Sequence, residues 1–328
     1  MLGVPETILI APDSFKGTLS AAQVAEAIGR GVEAAGRPVE LCPVGDGGEG
    51  TLDALAPEIG GELVSVPATD PLGREIEASF ALAGSLAVVE AAAASGLGLV
   101  SRAERDAFAA STQGTGELIA AAVSAGAREI LLAVGGSAST DGGAGAIRAI
   151  RRAGGLGRAR LVVLCDVRTP FEDAARVFAP QKGADADTVR RLSRRLNSLA
   201  QRLERDPRGV PMTGAAGGLS GGLWAAFGAE LVSGAAFVLD ALGFDRRMRA
   251  ARAVITGEGR IDAQSLVGKA VSEISTRSRQ SGVPCFAVAG RDELGSFAQR
   301  ILDLQVVLEA GTLEELERAG RKLGSELI

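Results

Sequence analysis

The sequence predicts an α/β protein built from two domains, and three observations carry this prediction. At 328 residues, the chain is longer than one ordinary hydrophobic core needs. Apolar runs of strand length alternate with helical patterns near both ends of the chain, as they do in βαβ units. Glycine-rich loops follow several of these runs, and open α/β sheets bind ligands where their strands end.

The charge and the apolar pattern argue against two classes of partner. The net charge is −5, whereas a protein that binds nucleic acid needs a basic surface against the phosphates. No apolar run is long enough to cross a bilayer, and the first residues lack the basic region of a signal peptide. Cys42, Cys165 and Cys285 each lie in an apolar run, which predicts buried free thiols and a cytoplasmic location.

Histidine is absent and lysine is rare, and both facts restrict the chemistry. Without histidine, Ser-His-Asp machinery and His-ligated transition metals are excluded, so a bound metal is expected to be a hard cation held through oxygen. Only four of the 35 basic residues are lysines: Lys16, Lys182, Lys269 and Lys322. The first three lie beside glycines, and because lysine and arginine are not interchangeable, we treat these three as site candidates.

The first βαβ unit is predicted near the N-terminus. The apolar runs Thr7–Ala11 and Val39–Val44 are its strands. Ser20 and Gln23 form the capping box that starts the helix between them, which continues to about Ala35.

Charged loops follow both strands of this unit. Asp13 and Lys16 lie in PDSFKGT after the first strand, and Asp46 and Glu49 lie in GDGGEG after the second. Carboxylates on glycine-rich backbone at a strand end suit a metal or the hydroxyls of a polyol. A solvated ion pair and an acid-capped helix start are the structural alternatives.

The pattern changes between Glu62 and Glu90. Apolar and polar residues alternate there, and turn signals at Asp70–Pro71 and Gly84–Ser85 interrupt them. This pattern predicts antiparallel strands and a domain boundary near Val66.

A glycine-rich turn lies at the centre of the chain, in ILLAVGGSASTDGGAG. Ile130–Val134 has the composition of a strand buried on both faces. Gly135, Gly136 and Ser137 follow it and can form a backbone nest for an anion. Asp141, the single charge of the stretch, could hold a metal or accept a proton. The structural alternative is a tight strand-to-helix turn.

Further elements follow from the same patterns. A strand is predicted at Leu161–Cys165, and the glycine run Gly214–Gly222 has no charge, which favours close packing of helices over phosphate binding. Helices are predicted at Thr51–Leu55, at Ala91–Ser95, after Ser111–Gly116 as far as Gly126, at Asp187–Arg205 and at Ser233–Leu242.

A second βαβ unit is predicted near the C-terminus. Its strands are Ala253–Thr256 and Pro284–Ala289, and a helix from about Gly268 to Arg279 connects them. The chain is predicted to close with a strand at Gln305–Leu308 and a helix at Thr312–Leu327. The loop after its first strand gathers glycines and charges: Gly257, Glu258, Gly259, Arg260, Asp262 and Lys269. Acids and bases mixed among glycines favour a metal–phosphate site over a plain turn.

Nine segments, in order and over nearly the whole chain, resemble the glycerate kinase family that forms 2-phosphoglycerate. They are Ala11–Ile28 (APDSFKGTLSAAQVAEAI), Gly45–Leu55 (GDGGEGTLDAL), Glu90–Leu97 (EAAAASGL), Ser111–Ile119 (STQGTGELI), Gly135–Gly145 (GGSASTDGGAG), Cys165–Phe171 (CDVRTPF), Phe178–Asp185 (FAPQKGAD), Gly214–Leu223 (GAAGGLSGGL) and Thr256–Lys269 (TGEGRIDAQSLVGK).

The resemblance implies a fold and a reaction. The fold is a flavodoxin-like parallel-sheet domain of residues 1–65 and 253–328, with a mixed-sheet α/β domain of residues 66–252 inserted and the active site in the cleft. The reaction is transfer of the γ-phosphoryl group of ATP, with Mg²⁺, to D-glycerate. A homodimer stays open, because the sequence does not determine the oligomeric state.

On this resemblance we assign roles as hypotheses. The chain has no Walker-type loop, so lysines and metal-bound carboxylates must neutralise the phosphates. Lys16 and Lys269 are assigned to neutralise the phosphates, and the amides of Gly135, Gly136, Ser137, Gly257 and Gly259 are assigned to bind them. Glu258 and Asp262 are assigned to hold Mg²⁺. Glycerate is assigned to Asp46, Glu49 and Lys182. Asp46 and Glu49 could instead help the metal. Asp13 or Asp141 accepts the hydroxyl proton.

Two alternatives belong to other functional classes. A nicotinamide-dependent dehydrogenase also uses strand–glycine–helix units, although no GxGxxG follows the first strand and no histidine can relay a proton. A catalytically inactive binding protein is the other alternative. It is suggested by the segment between Gly145 and Cys165, which is shorter than the family usually has.

Overall fold

The computed structural model describes residues 6–266 and 268–327, and the chain divides into two compact units. The first unit joins Met1–Asp46 to Ala235–Ile328, and the second is Gly47–Gly234. The chain thus leaves the first unit once and returns to it.

The secondary structure alternates strands and helices for most of its length. The strands are β1 (Ile8–Pro12), β2 (Val39–Leu41), β3 (Glu62–Thr69), β4 (Glu75–Ala83), β5 (Leu86–Glu90), β6 (Glu129–Ala133), β7 (Arg160–Cys165), β8 (Glu230–Ser233), β9 (Ala253–Glu258), β10 (Cys285–Ala289) and β11 (Leu304–Glu309). The helices are α1 (Ala21–Ala34), α2 (Thr51–Ile59), α3 (Ala92–Ser95), α4 (Gln113–Ser124), α5 (Ala144–Arg152), α6 (Ala174–Phe178), α7 (Ala186–Ala200), α8 (Ala215–Phe227), α9 (Gly234–Ala241), α10 (Phe244–Arg249), α11 (Ala270–Ser281), α12 (Ser296–Ile301) and α13 (Leu313–Lys322).

The first unit is built on a parallel sheet with the strand order β11-β10-β9-β1-β2. Strand β1 lies inside the sheet and every one of its residues is buried. Ile8 and Ile10 pack in one core with Val24 and Ile28 of α1, whose start at the Ser20–Gln23 capping box is confirmed. The carboxyl ends of β1, β9, β10 and β11 therefore lie along one edge, and the loops that follow them meet there.

The second unit is built on a mixed sheet with the order β3-β4-β5-β6-β7-β8. Strands β3, β4 and β5 are antiparallel, as the alternation predicted, and β5 to β8 are parallel. Ile130 and Leu132 of β6 are fully buried with Leu118 and Ile150 of the neighbouring helices. The predicted combination of a parallel sheet and a mixed sheet in an α/β fold is confirmed.

Several details differ from the sequence-based expectations. The expected boundary near Val66 falls inside β3, whereas the second unit begins at Gly47, because α2 already packs on β4 and β5. Strand β8 and helix α10 were not predicted. Strand β2 ends at Leu41, earlier than the predicted Val44.

Two further expectations concern buried groups. The three cysteines are buried thiols, as predicted. The glycine run of α8 packs closely, since a Cβ on Gly222 would lie 2.1 Å from the carbonyl oxygen of Gly142. Across the residues that the structure describes, no helix combines the length and apolar character needed to span a membrane.

Candidate active site

A pocket of about 450 Å³ opens in the first unit at the carboxyl edge of its sheet. Its walls come from the loops after β1, β9, β10 and β11. The lining residues are Ser14, Phe15, Lys16, Thr18, Glu258, Gly259, Arg260, Asp262, Lys269, Gly290, Arg291 and Gly311. The position is the one at which open α/β sheets bind ligands.

Two buried carboxylates, Asp13 and Asp46, lie close to the more exposed Lys16 beside this pocket. Lys16 Nζ lies 2.9 Å from Asp46 Oδ2, and the Asp46 side chain is 1% exposed whereas that of Lys16 is 41% exposed. Asp13 is buried, and the amide of Ser14 donates to its Oδ1 at 2.7 Å. Sequence analysis identified Asp13 and Lys16 as site candidates, with a solvated ion pair between them as the structural alternative, and the structure shows Lys16 in an ion pair with Asp46.

The surroundings of Asp13 change its acidity. Burial raises the pKa of Asp13 to about 8, and the negative charges of Asp46 and Glu258 act in the same direction. The ammonium of Lys16 opposes them and lowers the pKa. A carboxyl group whose pKa lies near neutrality is suited to accept a proton at physiological pH.

A second pair of opposite charges lines the pocket. Lys269 Nζ donates to Glu258 Oε2 at 3.0 Å, and the pKa of Glu258 is raised because burial outweighs the attraction of Lys269. The other oxygen, Glu258 Oε1, is buried and has no hydrogen-bond partner among the described residues. Asp262 lies in an ion pair with Arg260, with 3.2 Å between Nε and Oδ2. The structure thus brings Glu258, Asp262 and Lys269 to one pocket.

Close backbone approach explains both predicted glycines of this loop. A Cβ on Gly257 would lie 2.3 Å from the carbonyl oxygen of Val288, so this glycine serves strand packing. A Cβ on Gly259 would lie 3.1 Å from Cα of Phe15, so the loops after β9 and β1 nearly touch beside the pocket. Gly259 is therefore the one of the two whose backbone faces the pocket lining.

Sequence reasoning missed Arg291, which follows β10. Its side chain is exposed on the pocket wall, and within the described residues its guanidinium has no hydrogen-bond or ion-pair partner. The rule that identified the loops after β1 and β9 applies equally to Gly290–Arg291 at the end of β10. The signal was present in the sequence, but a single arginine among 31 did not stand out.

The central glycine turn of the second unit is held on several sides. The amide of Leu97 donates to the carbonyl of Gly136 at 2.8 Å, and the amide of Ala138 donates to that of Ser95 at 2.8 Å. Gly135 lies against another loop, because a Cβ there would lie 2.5 Å from Cα of Gly48. Among the hydrogen bonds of the described residues, none uses the amides of Gly135, Gly136 and Ser137. The three amides of the predicted anion nest therefore remain available to donate to a ligand.

Asp141 is buried and surrounded by hydrogen-bond donors. Its Oδ1 accepts from the amide of Gly143, and its Oδ2 accepts from the amides of Thr112 and Gly145, each at 3.0 Å. The hydroxyl of Thr112 adds a further contact at 2.9 Å. These donors belong to the starts of α4 and α5, so Asp141 joins two helix N-termini. The geometry supports the structural alternative for this residue.

Lys182 and Glu49 are the other predicted residues of the second unit. Lys182 is 3% exposed and donates to Ser137 Oγ at 2.9 Å and to the carbonyl of Ser139 at 2.5 Å. Burial lowers the pKa of Lys182 to about 7, against the opposing attraction of Asp141 and Asp166. Glu49 is exposed, and its Oε2 would lie 3.3 Å from a Cβ placed on Gly136.

Sequence reasoning gave Glu90 no functional role. It ends β5, and its Oε1 accepts from the amide of Leu52 at 2.7 Å near the start of α2. Burial raises the pKa of Glu90 to about 7.

In the part of the chain that the structure describes, no three acids or thiols lie close enough together to form a complete metal site.

The fold and the pocket define a class of protein. A parallel sheet whose carboxyl edge has two lysines, an unpaired arginine and buried carboxylates around one pocket is typical of an α/β enzyme that handles anionic, phosphate-bearing ligands.

Comparison with known proteins narrows this class to one family. A profile of the glycerate kinase family matches residues 8–155 and 151–309. The chain is 36% identical to a glycerate kinase of Halalkalibacterium halodurans over 97% of each chain. It is also 36% identical to a glycerate 2-kinase of Escherichia coli over 95% of this chain and 93% of that one. The chain therefore belongs to the glycerate kinase family, whose members are kinases.

A solved structure agrees with the sequence comparison. The crystal structure of a protein provisionally assigned as glycerate kinase 2 from Salmonella typhimurium LT2 superposes with a TM-score of 0.80. It is 32% identical in sequence, and the match covers 98% of both chains.

Proposed function

We propose that the protein transfers the γ-phosphoryl group of ATP to D-glycerate and forms 2-phosphoglycerate. The observation that carries the proposal is the pocket of the first unit: Lys16 and Lys269 line it and can neutralise phosphate, and the buried carboxyl group of Asp13, whose pKa is raised, lies near Lys16. Family membership supports glycerate as the acceptor. The relative named glycerate 2-kinase supports the 2-position of the product.

Asp13 is the proposed general base. It accepts the proton of the attacking glycerate hydroxyl while the new P–O bond forms and ADP leaves with the electrons of the broken P–O bond. Of the two candidates from the sequence, Asp13 accepts from one backbone amide, that of Ser14, whereas Asp141 is held by donors from two helix starts. Both oxygens of the Asp141 carboxylate therefore already hold the two helix starts in place.

The lysines of the first unit neutralise phosphate charge in this proposal. Lys16 is 41% exposed above the buried Asp46, so its ammonium can reach a ligand in the pocket. Lys269 is held beside Glu258 on the same wall. Arg291, which has no partner of its own among the described residues, adds a third cation. Charge neutralisation and positioning supply most of the catalysis of phosphoryl transfer.

The residues of this pocket fit a magnesium ion. Mg²⁺ binds proteins through one or two carboxylates and keeps its remaining positions for water and phosphate. Glu258 offers a buried oxygen without a partner, and Asp262 lines the same pocket. When bound, the ion would neutralise charge on the phosphates. Asp46 and Glu49 remain proposed ligands of the glycerate hydroxyls or helpers of the metal.

The test is an ADP-release assay with D-glycerate, ATP and Mg²⁺, with the product position read by phosphorus NMR. We expect ADP formation that depends on glycerate, and a phosphorus resonance coupled to the proton at carbon 2. A 3-phosphoglycerate signal would overturn the position of transfer alone. Absence of ADP together with NAD-dependent turnover would favour the dehydrogenase, and ligand-induced stabilisation without any turnover would favour the inactive binding protein.

A further inference from the structure

Lys182 is a buried cation that the proposed chemistry does not yet use. It is 3% exposed, and its two hydrogen bonds go to a hydroxyl and a carbonyl, Ser137 Oγ and Ser139 O. Within the described residues, no carboxylate lies at ion-pair distance from it. Burying an ammonium group is costly unless it is paired and its hydrogen bonds are satisfied.

The contact with Ser137 fixes the direction of that hydroxyl. In its protonated form Lys182 can only donate, so Ser137 Oγ accepts from the ammonium group. The hydroxyl proton is then left to point elsewhere, and no described residue accepts it. A hydroxyl that accepts from a cation is a stronger donor, because hydrogen bonds in a chain polarise one another.

The backbone around Ser137 offers donors beside this hydroxyl. The amides of Gly135, Gly136 and Ser137 are not used by other hydrogen bonds of the described residues. Gly136 has a φ of 70°, the left-handed conformation that turns successive amides toward one side. The bonds from Leu97 and Ala138 hold this turn in place.

We propose that Lys182 is a positioning residue: it holds the Ser137 hydroxyl as a donor to an anionic oxygen of the substrate, without touching the substrate itself. The inference rests on the proposed function, because the anion is either the carboxylate of glycerate or a phosphate of ATP. Both present the same chemistry, an oxyanion that accepts from one hydroxyl and adjacent amides. The Lys182 side chain is 3% exposed, so it contacts the Ser137 hydroxyl from the buried side of the turn.

A double-mutant cycle tests the proposal with four proteins: wild type, Lys182→Met, Ser137→Ala and the double variant. Each single change should raise the KM of one substrate by roughly 10- to 100-fold, the loss of a hydrogen bond to a charged group, with a smaller change in kcat. The double variant should differ from Ser137→Ala by less than about twofold, because Lys182 acts through Ser137. Titrating glycerate and ATP in turn shows which substrate supplies the oxyanion.

The matched control is Lys322→Met, an exposed lysine at the end of α13, which should leave both KM values unchanged. Losses of the two single variants that multiply in the double variant would overturn the proposal, as would unchanged KM values in Lys182→Met. If Lys182→Met fails to fold, Lys182→Gln takes its place, since it keeps an N–H donor without the charge.

Failure of the proposed function is distinguishable from failure of this inference. If the wild type shows no turnover, the same four proteins are compared by the concentration of D-glycerate or inorganic phosphate that raises the melting temperature. Non-additive losses of binding would uphold the link between Lys182 and Ser137. Additive losses, or binding that neither single change weakens, would refute it.

Discussion

Replacing Asp141 with asparagine separates its structural role from a catalytic one. This carboxylate accepts from the amides of Thr112, Gly143 and Gly145 and from the hydroxyl of Thr112. Each of the two carboxylate oxygens accepts from at least one backbone amide, and a backbone N–H cannot become an acceptor. An asparagine would therefore place its NH₂ group against at least one buried N–H.

The magnitude follows from these contacts. In the orientation that loses least, the NH₂ group replaces Oδ1 and the amide of Gly143 loses its acceptor. One hydrogen bond to a charged group contributes about 1.5–3 kcal/mol, and the remaining bonds weaken when the charge is removed. We expect a loss of about 3 kcal/mol in the free energy of unfolding, or about 6–12 °C in Tm for a unit of this size.

The measurement is urea unfolding followed by the fluorescence of Trp224, the single tryptophan of the chain. Trp224 lies on α8 in the same unit as Asp141, so it reports the unfolding of that unit. The matched control is Asp187→Asn, an exposed acid in the first turn of α7, which should change stability by less than about 0.5 kcal/mol. Turnover of Asp141→Asn, measured well below its Tm, should stay within a few-fold of wild type.

One result would refute this reasoning. If Asp141→Asn were as stable as wild type and its kcat fell by about 10²- to 10⁴-fold, the loss would be that of a general base. A rate restored by extra Mg²⁺ would instead identify Asp141 as a metal ligand. Either result would move the proton acceptor or the metal away from the pocket of the first unit.

Three further predictions concern that pocket. The kcat/KM should rise with pH through a limb near pH 8, because Asp13 must lose its proton to act as the base. In Asp46→Asn this limb should move to lower pH, since a negative neighbour that raises the pKa of Asp13 is gone; a flat profile from pH 6 to 9 would contradict the assignment. Lys16→Met should lower kcat by on the order of 10² or more, whereas Lys322→Met should not, and equal rates in a folded Lys16→Met would remove Lys16 from the chemistry. Glu258→Gln should raise the Mg²⁺ concentration for half-maximal rate, and activity of the wild type in excess EDTA would contradict a magnesium role.

Strong local signals explain which parts of the fold were predictable. Strand β6 and the start of α1 at the Ser20–Gln23 capping box were predictable, because a few adjacent residues determine each of them. Strand β8 escaped prediction because its residues are exposed or half-buried and it pairs only along one edge, with β7. The limit of the second unit at Gly47 depends on how α2 packs, which no local pattern encodes.

The candidate site was predictable as a set of loops and not as a set of contacts. The rule that ligands bind at the carboxyl ends of parallel strands selected Asp13, Lys16, Glu258 and Lys269, which the first unit brings together. The pairing of Lys16 with Asp46 joins residues 30 positions apart in sequence and depends on the register of β1 and β2. The engagement of Asp141 by Thr112 is equally non-local.

The short segment between Gly145 and Cys165 bears on the choice between a kinase and an inactive binding protein. In the structure it is α5, a glycine-rich turn and β7, and β7 pairs with β6 in continuous register from Glu129↔Arg160 to Ala133↔Leu164. Helix α5 starts beside the central glycine turn and ends toward the opposite edge of the sheet, because it connects two parallel strands. Gly154, Gly155 and Gly157, all with positive φ, form the turn at that opposite edge. The glycine turn at Gly135–Ser137 and its contact with Lys182 are held by residues outside this segment, which supports the kinase.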